Sequence, residues 1–227
     1  MKFKSIGDKI VHITMPCDKS LAKAMHRLQE SYESPFPEIK GKVFTLGYLK
    51  SLGHRQAVGI NTYCGGNHFN ADWGGYNFPN YVLEPFIKGL FDPLTTEEQD
   101  IVEALRYRED TFYVIGTSGE DSESTSLEHE IRHALYYISG KYRIEVNKLL
   151  NKHKNSLQPL SKCLMDWGYD ESVILDECQA YIGPNYDWLF DENAEDIKKY
   201  KIKINKSLSD KLNIIAKKYK KELGIDI

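Results

Sequence analysis

Cysteine is scarce: four in 227 residues (Cys17, Cys64, Cys163 and Cys178), with no CxxC pair among them. That spacing excludes a disulfide scaffold or a Cys-rich zinc site and leaves reduced, mostly buried thiols. No long hydrophobic run exists either, since nothing approaches the roughly 20 apolar residues of a membrane span. The basic start Met1-Lys2-Phe3-Lys4 leads into Ile10 to Met15, which His12 interrupts and which is too short for a signal-peptide core. A cytoplasmic protein with no membrane partner is therefore the expectation. An excess of one charge is missing as well: 30 Lys and Arg against 33 Asp and Glu give a net charge of -3, which supplies no general attraction to nucleic acid.

What is present is enough for a core. With 41% hydrophobic residues the chain reads most simply as one domain over 1–227. Lys9 to Thr14 is expected as a first strand and Ser20 to Tyr32 as an amphipathic helix. Lys42 to Lys50 and Gln56 to Tyr63 read as a strand hairpin. A helix from Thr96 to Tyr107 follows a capping box at Thr95 to Glu98, and Thr111 to Gly116 is a further strand. The fold class is α+β, with an N-terminal mixed or antiparallel sheet and helices over 1–124 and a mainly helical part over 125–227.

Within the helical part stands His129-Glu130-Ile131-Arg132-His133. Residues four apart share one helix face, so both imidazoles can offer a nitrogen to one metal ion while Glu130 points beside it. A helix over 126–139 is expected from a capping box at Thr125 to Glu128 and a stop at Gly140. Its apolar stripe is Leu127, Ile131, Ala134, Leu135 and Ile138, nearly opposite the two histidines.

A second helical stretch, Asp170 to Ile182, ends at Gly183-Pro184. In it Glu177 sits among Val173, Ile174, Ala180 and Tyr181. A carboxylate inside an apolar stripe is costly unless a cation neutralises it, and Zn²⁺ is the expected cation.

With these two stretches the chain resembles the zincin metallopeptidases, and among them the gluzincins, in which HExxH lies on one helix and a glutamate ligand on a later one. The resemblance implies a zincin-like fold, zinc held by His129, His133 and Glu177, Glu130 as general base, and hydrolysis of a peptide or protein substrate. The metzincin extension is not matched, because Tyr136 and Ser139 stand where Gly and His belong. In thermolysin-like gluzincins an aspartate one turn after the ligand glutamate braces a zinc histidine, and Tyr181 occupies that position. Asp176, Asp170 and the Tyr181 hydroxyl are the alternative braces.

Three protein ligands leave a fourth zinc position for water, the arrangement of a catalytic site. Tyr181 is the first choice for a catalytic donor; Tyr136, Tyr137, His153 and Arg143 have equally suitable chemistry for stabilising an oxyanion. A sheet edge near the metal helix would pair with extended substrate, and Thr111 to Ile115 or a hairpin strand is the expected edge. The Gly- and aromatic-rich stretch Tyr63 to Tyr81 is a candidate substrate-binding loop; its Cys64 is a candidate inhibitory thiolate and its His68 a candidate ligand or donor. Two other functions stay open: a catalytically silent zincin-like binding or regulatory module, and a nucleic-acid-associated accessory protein using the lysine-rich segment Lys198 to Lys221. Oligomeric state is not readable.

Overall fold

The computed structural model describes residues 1–52, 74–119 and 125–225. Among these residues the sheet has four strands in the order β1-β2-β4-β3. Strand β1 (Lys2–Ile6) runs antiparallel to β2 (Ile10–Met15), β2 is parallel to β4 (Tyr113–Ser118), and β3 (Gly75–Pro79) closes the far edge antiparallel to β4.

Strand alternation divides the sheet between two cores. Val11, Ile13 and Met15 of β2, Val114 of β4, and Tyr76 and Phe78 of β3 join one cluster with α1 (Asp18–Glu33), α2 (Leu46–Leu52), α3 (Glu84–Ile87) and α4 (Thr96–Leu105). Close approach of α1 requires Gly116, where a Cβ would lie 2.0 Å from the Met25 sulfur. Arg27 of α1 is buried in this layer, donating to the Glu98 carboxylate from Nε at 2.9 Å.

Ile10, Tyr113 and Ile115 face the other way, into a helical layer. It contains α5 (Thr125–Ile138), α6 (Gly140–Lys152), α7 (Lys154–Asp166), α8 (Ile174–Ile182), α9 (Tyr186–Asp191), α10 (Ala194–Tyr200) and α11 (Lys206–Glu222). The chain is thus α+β, with a mixed sheet and a mostly helical C-terminal half.

Several expectations need correction. Lys42 to Lys50 is not a strand: Thr45 Oγ1 accepts from the Tyr48 amide at 3.0 Å, and this cap starts helix α2 with Leu49 buried. Its expected partner, Gln56 to Tyr63, lies outside the described residues, as do Cys64 and His68. The end of the expected loop 63–81 is instead β3, whose bounding Gly75 and Pro79 gave it the composition of a turn. Gly140 does not stop α5. The break falls at Ser139, whose hydroxyl accepts from the Tyr142 amide and caps α6, so Gly140 is a first helical residue. Thr125 is already helical and so is not the N-cap of α5. The Thr95–Glu98 capping box is present as read.

Along Lys198 to Lys221, α11 buries Leu208, Leu212, Ala216 and Tyr219 while its lysines, apart from the half-buried Lys220 paired with Glu128, stay outside, the pattern of an amphipathic helix docked on the core. No helix among the described residues is long and apolar enough to cross a membrane.

Candidate metal centre

Helix α5 crosses the sheet face formed by β4 and β3, and α8 packs against α5 from the other side. One turn of α5 and one turn of α8 therefore meet with their polar residues facing each other. His129 Nε2 and His133 Nε2 are 3.1 Å apart. Glu177 Oε2 is 3.7 Å from the first and Glu177 Oε1 is 3.6 Å from the second. Ligand atoms about 2.0–2.1 Å from a tetrahedral zinc lie roughly 3.3 Å from one another, which these separations bracket. Among the described residues this is the one group of His, Cys, Asp and Glu with metal-holding geometry.

The donor set also fits by chemistry. All three residues are buried, and Glu177 Oε2 has no hydrogen-bond partner. A buried carboxylate oxygen left unpaired costs free energy that a cation would recover. Burial holds the His129 imidazole neutral by lowering its pKa to about 4, and neutral is the form that binds metal. For His133 burial acts in the same direction, but Asp176 and Glu177 outweigh it and raise the pKa well above 6.5. Burial raises the Glu177 carboxyl above its ordinary value, against the pull of His133.

Of the alternative braces, Asp176 is the one in place: its Oδ2 lies 3.1 Å from His133 Nδ1, which fixes the tautomer with Nε2 toward Glu177. Asp170 is engaged elsewhere, accepting from Lys40 Nζ at 2.9 Å and from the Ser172 amide at 3.0 Å. Tyr181 bonds the Tyr169 hydroxyl at 2.8 Å and sets its ring edge-on to His129, with centroids 4.8 Å apart.

Glu130 is positioned by two residues that the sequence reading passed over. Alternation along β3 turns Gly75 and Asn77 toward α5. Asn77 Nδ2 donates to Glu130 Oε2 at 2.7 Å, and Asn77 Oδ1 accepts from the Tyr113 hydroxyl at 2.5 Å. Gln29 of α1 completes the set by accepting from the Asn77 amide at 2.8 Å. Gly75 makes room, since a Cβ there would lie 2.2 Å from Glu130 Oε1. Burial raises the Glu130 carboxyl above its ordinary pKa, and the two histidines and Asn77 oppose that rise.

The three candidate ligands, Glu130 and Tyr181 all line one cleft of about 480 Å³. Tyr136, Tyr137, Arg143 and His153 do not line it. Tyr136 donates to Asn147, Tyr137 packs on Tyr113, Arg143 bonds the Tyr136 carbonyl, and His153 ends α6. Of the expected donors among the described residues, Tyr181 alone lines the cleft. The expected substrate edge is corrected too: β4, which holds Tyr113 to Ser118, is internal, and among the described residues β3 is the edge beside α5.

Two acidic residues of α1, Glu30 and Glu33, line the same cleft. Glu30 is 5% exposed, its Oε2 has no hydrogen-bond partner, and burial raises its pKa to about 7 with only partial relief from the Ser34 hydroxyl. A folded-state pKa above the unfolded one adds stability that is full below about 4.5 and is lost as pH rises through about 7. The difference is worth about 3 kcal/mol across that window. Glu30→Gln should therefore match the wild type near pH 4.5 and become more stable by about 2–3 kcal/mol at pH 8, measured by urea unfolding. A pH-independent difference would show that Glu30 stays solvated.

No protein-family model, curated protein or solved structure matches this chain.

Proposed function

We propose that this protein is a zinc-dependent metallopeptidase with a zincin-like arrangement of its site. The observation that carries the reading is the convergence of His129 Nε2, His133 Nε2 and a Glu177 oxygen within 4.8 Å of one another, beside an independently oriented carboxylate at Glu130. A structural metal site has no need of that fourth residue. His129, His133 and Glu177 would hold Zn²⁺, which polarises a carbonyl and lowers the pKa of water at an open coordination position.

The protein's own groups perform the remaining work. Glu130, held by Asn77 at Oε2, accepts a proton from the attacking water at Oε1 and passes it to the leaving amine. Tyr181 lines the cleft with its ring against His129, which supports it as the donor to an oxyanion. Strand β3 offers extended substrate an edge whose far side is already paired with β4, so backbone hydrogen bonds can align a peptide across the cleft.

Protein prepared with zinc should hold one ion per chain and cleave members of a peptide library. Removal of the metal by a chelator should stop cleavage, and zinc should restore it. Purified zinc-loaded protein that cleaves no peptide would defeat this reading.

A further inference from the structure

The cleft carries four glutamates, Glu30, Glu33, Glu130 and Glu177, and among the described residues no lysine or arginine lines it. A divalent ion at the His129, His133 and Glu177 site would compensate the charge near α5 and α8. Glu30 and Glu33 do not belong to that ligand group, although Glu33 lies close enough to feel the charges of Glu177 and His133, and no second group of metal-holding geometry occurs among the described residues.

Glu30 is the more telling of the two. Its side chain is buried, it lines the cleft, and its Oε2 makes no hydrogen bond. The nearest basic group to its other oxygen is His26 Nε2, 3.8 Å away, and burial keeps that imidazole neutral by lowering its pKa to about 4. Glu33, one turn on, is held toward the cleft by Gln29, whose Nε2 donates to Glu33 Oε1 at 2.7 Å. Gln29 is the same residue that accepts from the Asn77 amide, so the acidic pair and the support of Glu130 share one anchor. Elsewhere the cleft presents aromatic faces, Trp167, Tyr169, Tyr181 and Trp188, which are surfaces that also favour a cation.

We infer that Glu30 and Glu33 form a subsite for a positively charged group of the substrate, an ammonium or guanidinium lying beside the scissile bond. This rests on the peptidase reading above and specifies its substrate class. A cation there would satisfy the orphaned Glu30 Oε2 with a charge-assisted hydrogen bond and neutralise a carboxylate to which the Ser34 hydroxyl gives only partial relief. The shared chemistry has two sources in a peptide, a free N-terminal amine or a Lys or Arg side chain.

The test uses full-length, zinc-loaded Glu130→Gln protein, so that binding is read without turnover, by calorimetry and by fluorescence of Trp167 and Trp188 in the cleft. The probes are otherwise identical peptides carrying lysine or norleucine at each position in turn, each with a free or an acetylated amino terminus. One of the cationic features should improve affinity about tenfold or more. Glu30→Gln and Glu33→Gln should each remove most of that preference while leaving the norleucine, acetylated peptide unchanged, which also shows that the variants are folded. Loss of affinity on acetylation identifies the amine as the source, and loss on the norleucine change identifies the side chain. Peptides that bind with no preference for positive charge, or a preference that survives both substitutions, overturn the subsite and leave the peptidase reading intact. Absence of binding to the Glu130→Gln protein together with absence of cleavage by the zinc-loaded wild type, for every peptide, overturns both.

Discussion

Replacing Glu130 by glutamine is expected to leave zinc bound and to lower peptide turnover by about 10²- to 10⁴-fold, the contribution of a positioned general base. Glutamine keeps the size of the side chain and an oxygen that can accept from Asn77 Nδ2, so the geometry around α5 and β3 is preserved. What it loses is the ability to take a proton. A second variant separates position from identity: Gly75→Ala leaves Glu130 in place chemically but puts a methyl 2.2 Å from its Oε1 and 2.7 Å from its Cδ. Those atoms end a side chain, so the carboxylate swings aside instead of the backbone moving. The expected result is a kcat well below wild type, with unchanged zinc content and near-unchanged unfolding midpoint. Full turnover by the Glu130→Gln protein would remove Glu130 from the mechanism. A Gly75→Ala protein with normal kcat would show that the base tolerates displacement.

The contrast between these two residues shows what the sequence could and could not reveal. Glu130 was legible because HExxH binds its spacing to one helix, where four residues make one turn whatever surrounds it. Glu177 was legible because a carboxylate among Val173, Ile174, Ala180 and Tyr181 contradicts its neighbours unless something neutralises it. Asp176 was one of three braces, and selecting it required the 3.1 Å contact with His133 Nδ1, a matter of how α8 is rotated against α5.

Asn77 and Gly75 carried no such mark. They sit in a short strand bounded by glycine and proline, whose composition is that of a turn, and their relation to Glu130 arises from the packing of β3 against α5, with 53 residues of sequence between Asn77 and Glu130. Glu30 and Glu33 were hidden for a different reason. On an amphipathic helix the polar face is ordinarily the solvated one, and only the packing of α1 on the sheet turns part of that face into the wall of a cleft. Local periodicity thus gave α1, α4, α5, α8 and α11, with ends shifted by caps such as Ser139, and did not place α3, α6, α7, α9 or α10. The misread stretch at Lys42 to Lys50 failed where Thr45 supplied a cap that outweighed the β-branched residue Val43 before it.

Glu177→Ala is expected to lower zinc affinity by at least a hundredfold, and Asp176→Ala by about 10- to 100-fold, because one removes a metal-binding atom and the other an orienting partner. The two differ further in their response to pH. Without metal, Asp176 and Glu177 hold a proton on His133 by raising its pKa well above 6.5, even though burial pulls the other way. Zinc must displace that proton, so affinity in the wild type falls as pH drops below the raised pKa. Removing Asp176 loosens the proton as well as the ring. Its penalty should therefore be largest at high pH, where His133 is deprotonated in both proteins and orientation alone counts, and should shrink on acidification. Glu177→Ala loses a ligand at every pH, so its deficit should persist across the range. Zinc titrations of both variants at pH 6 and pH 8.5 separate the roles. Undiminished zinc in dialysed Glu177→Ala protein would remove the third ligand, and with it the site.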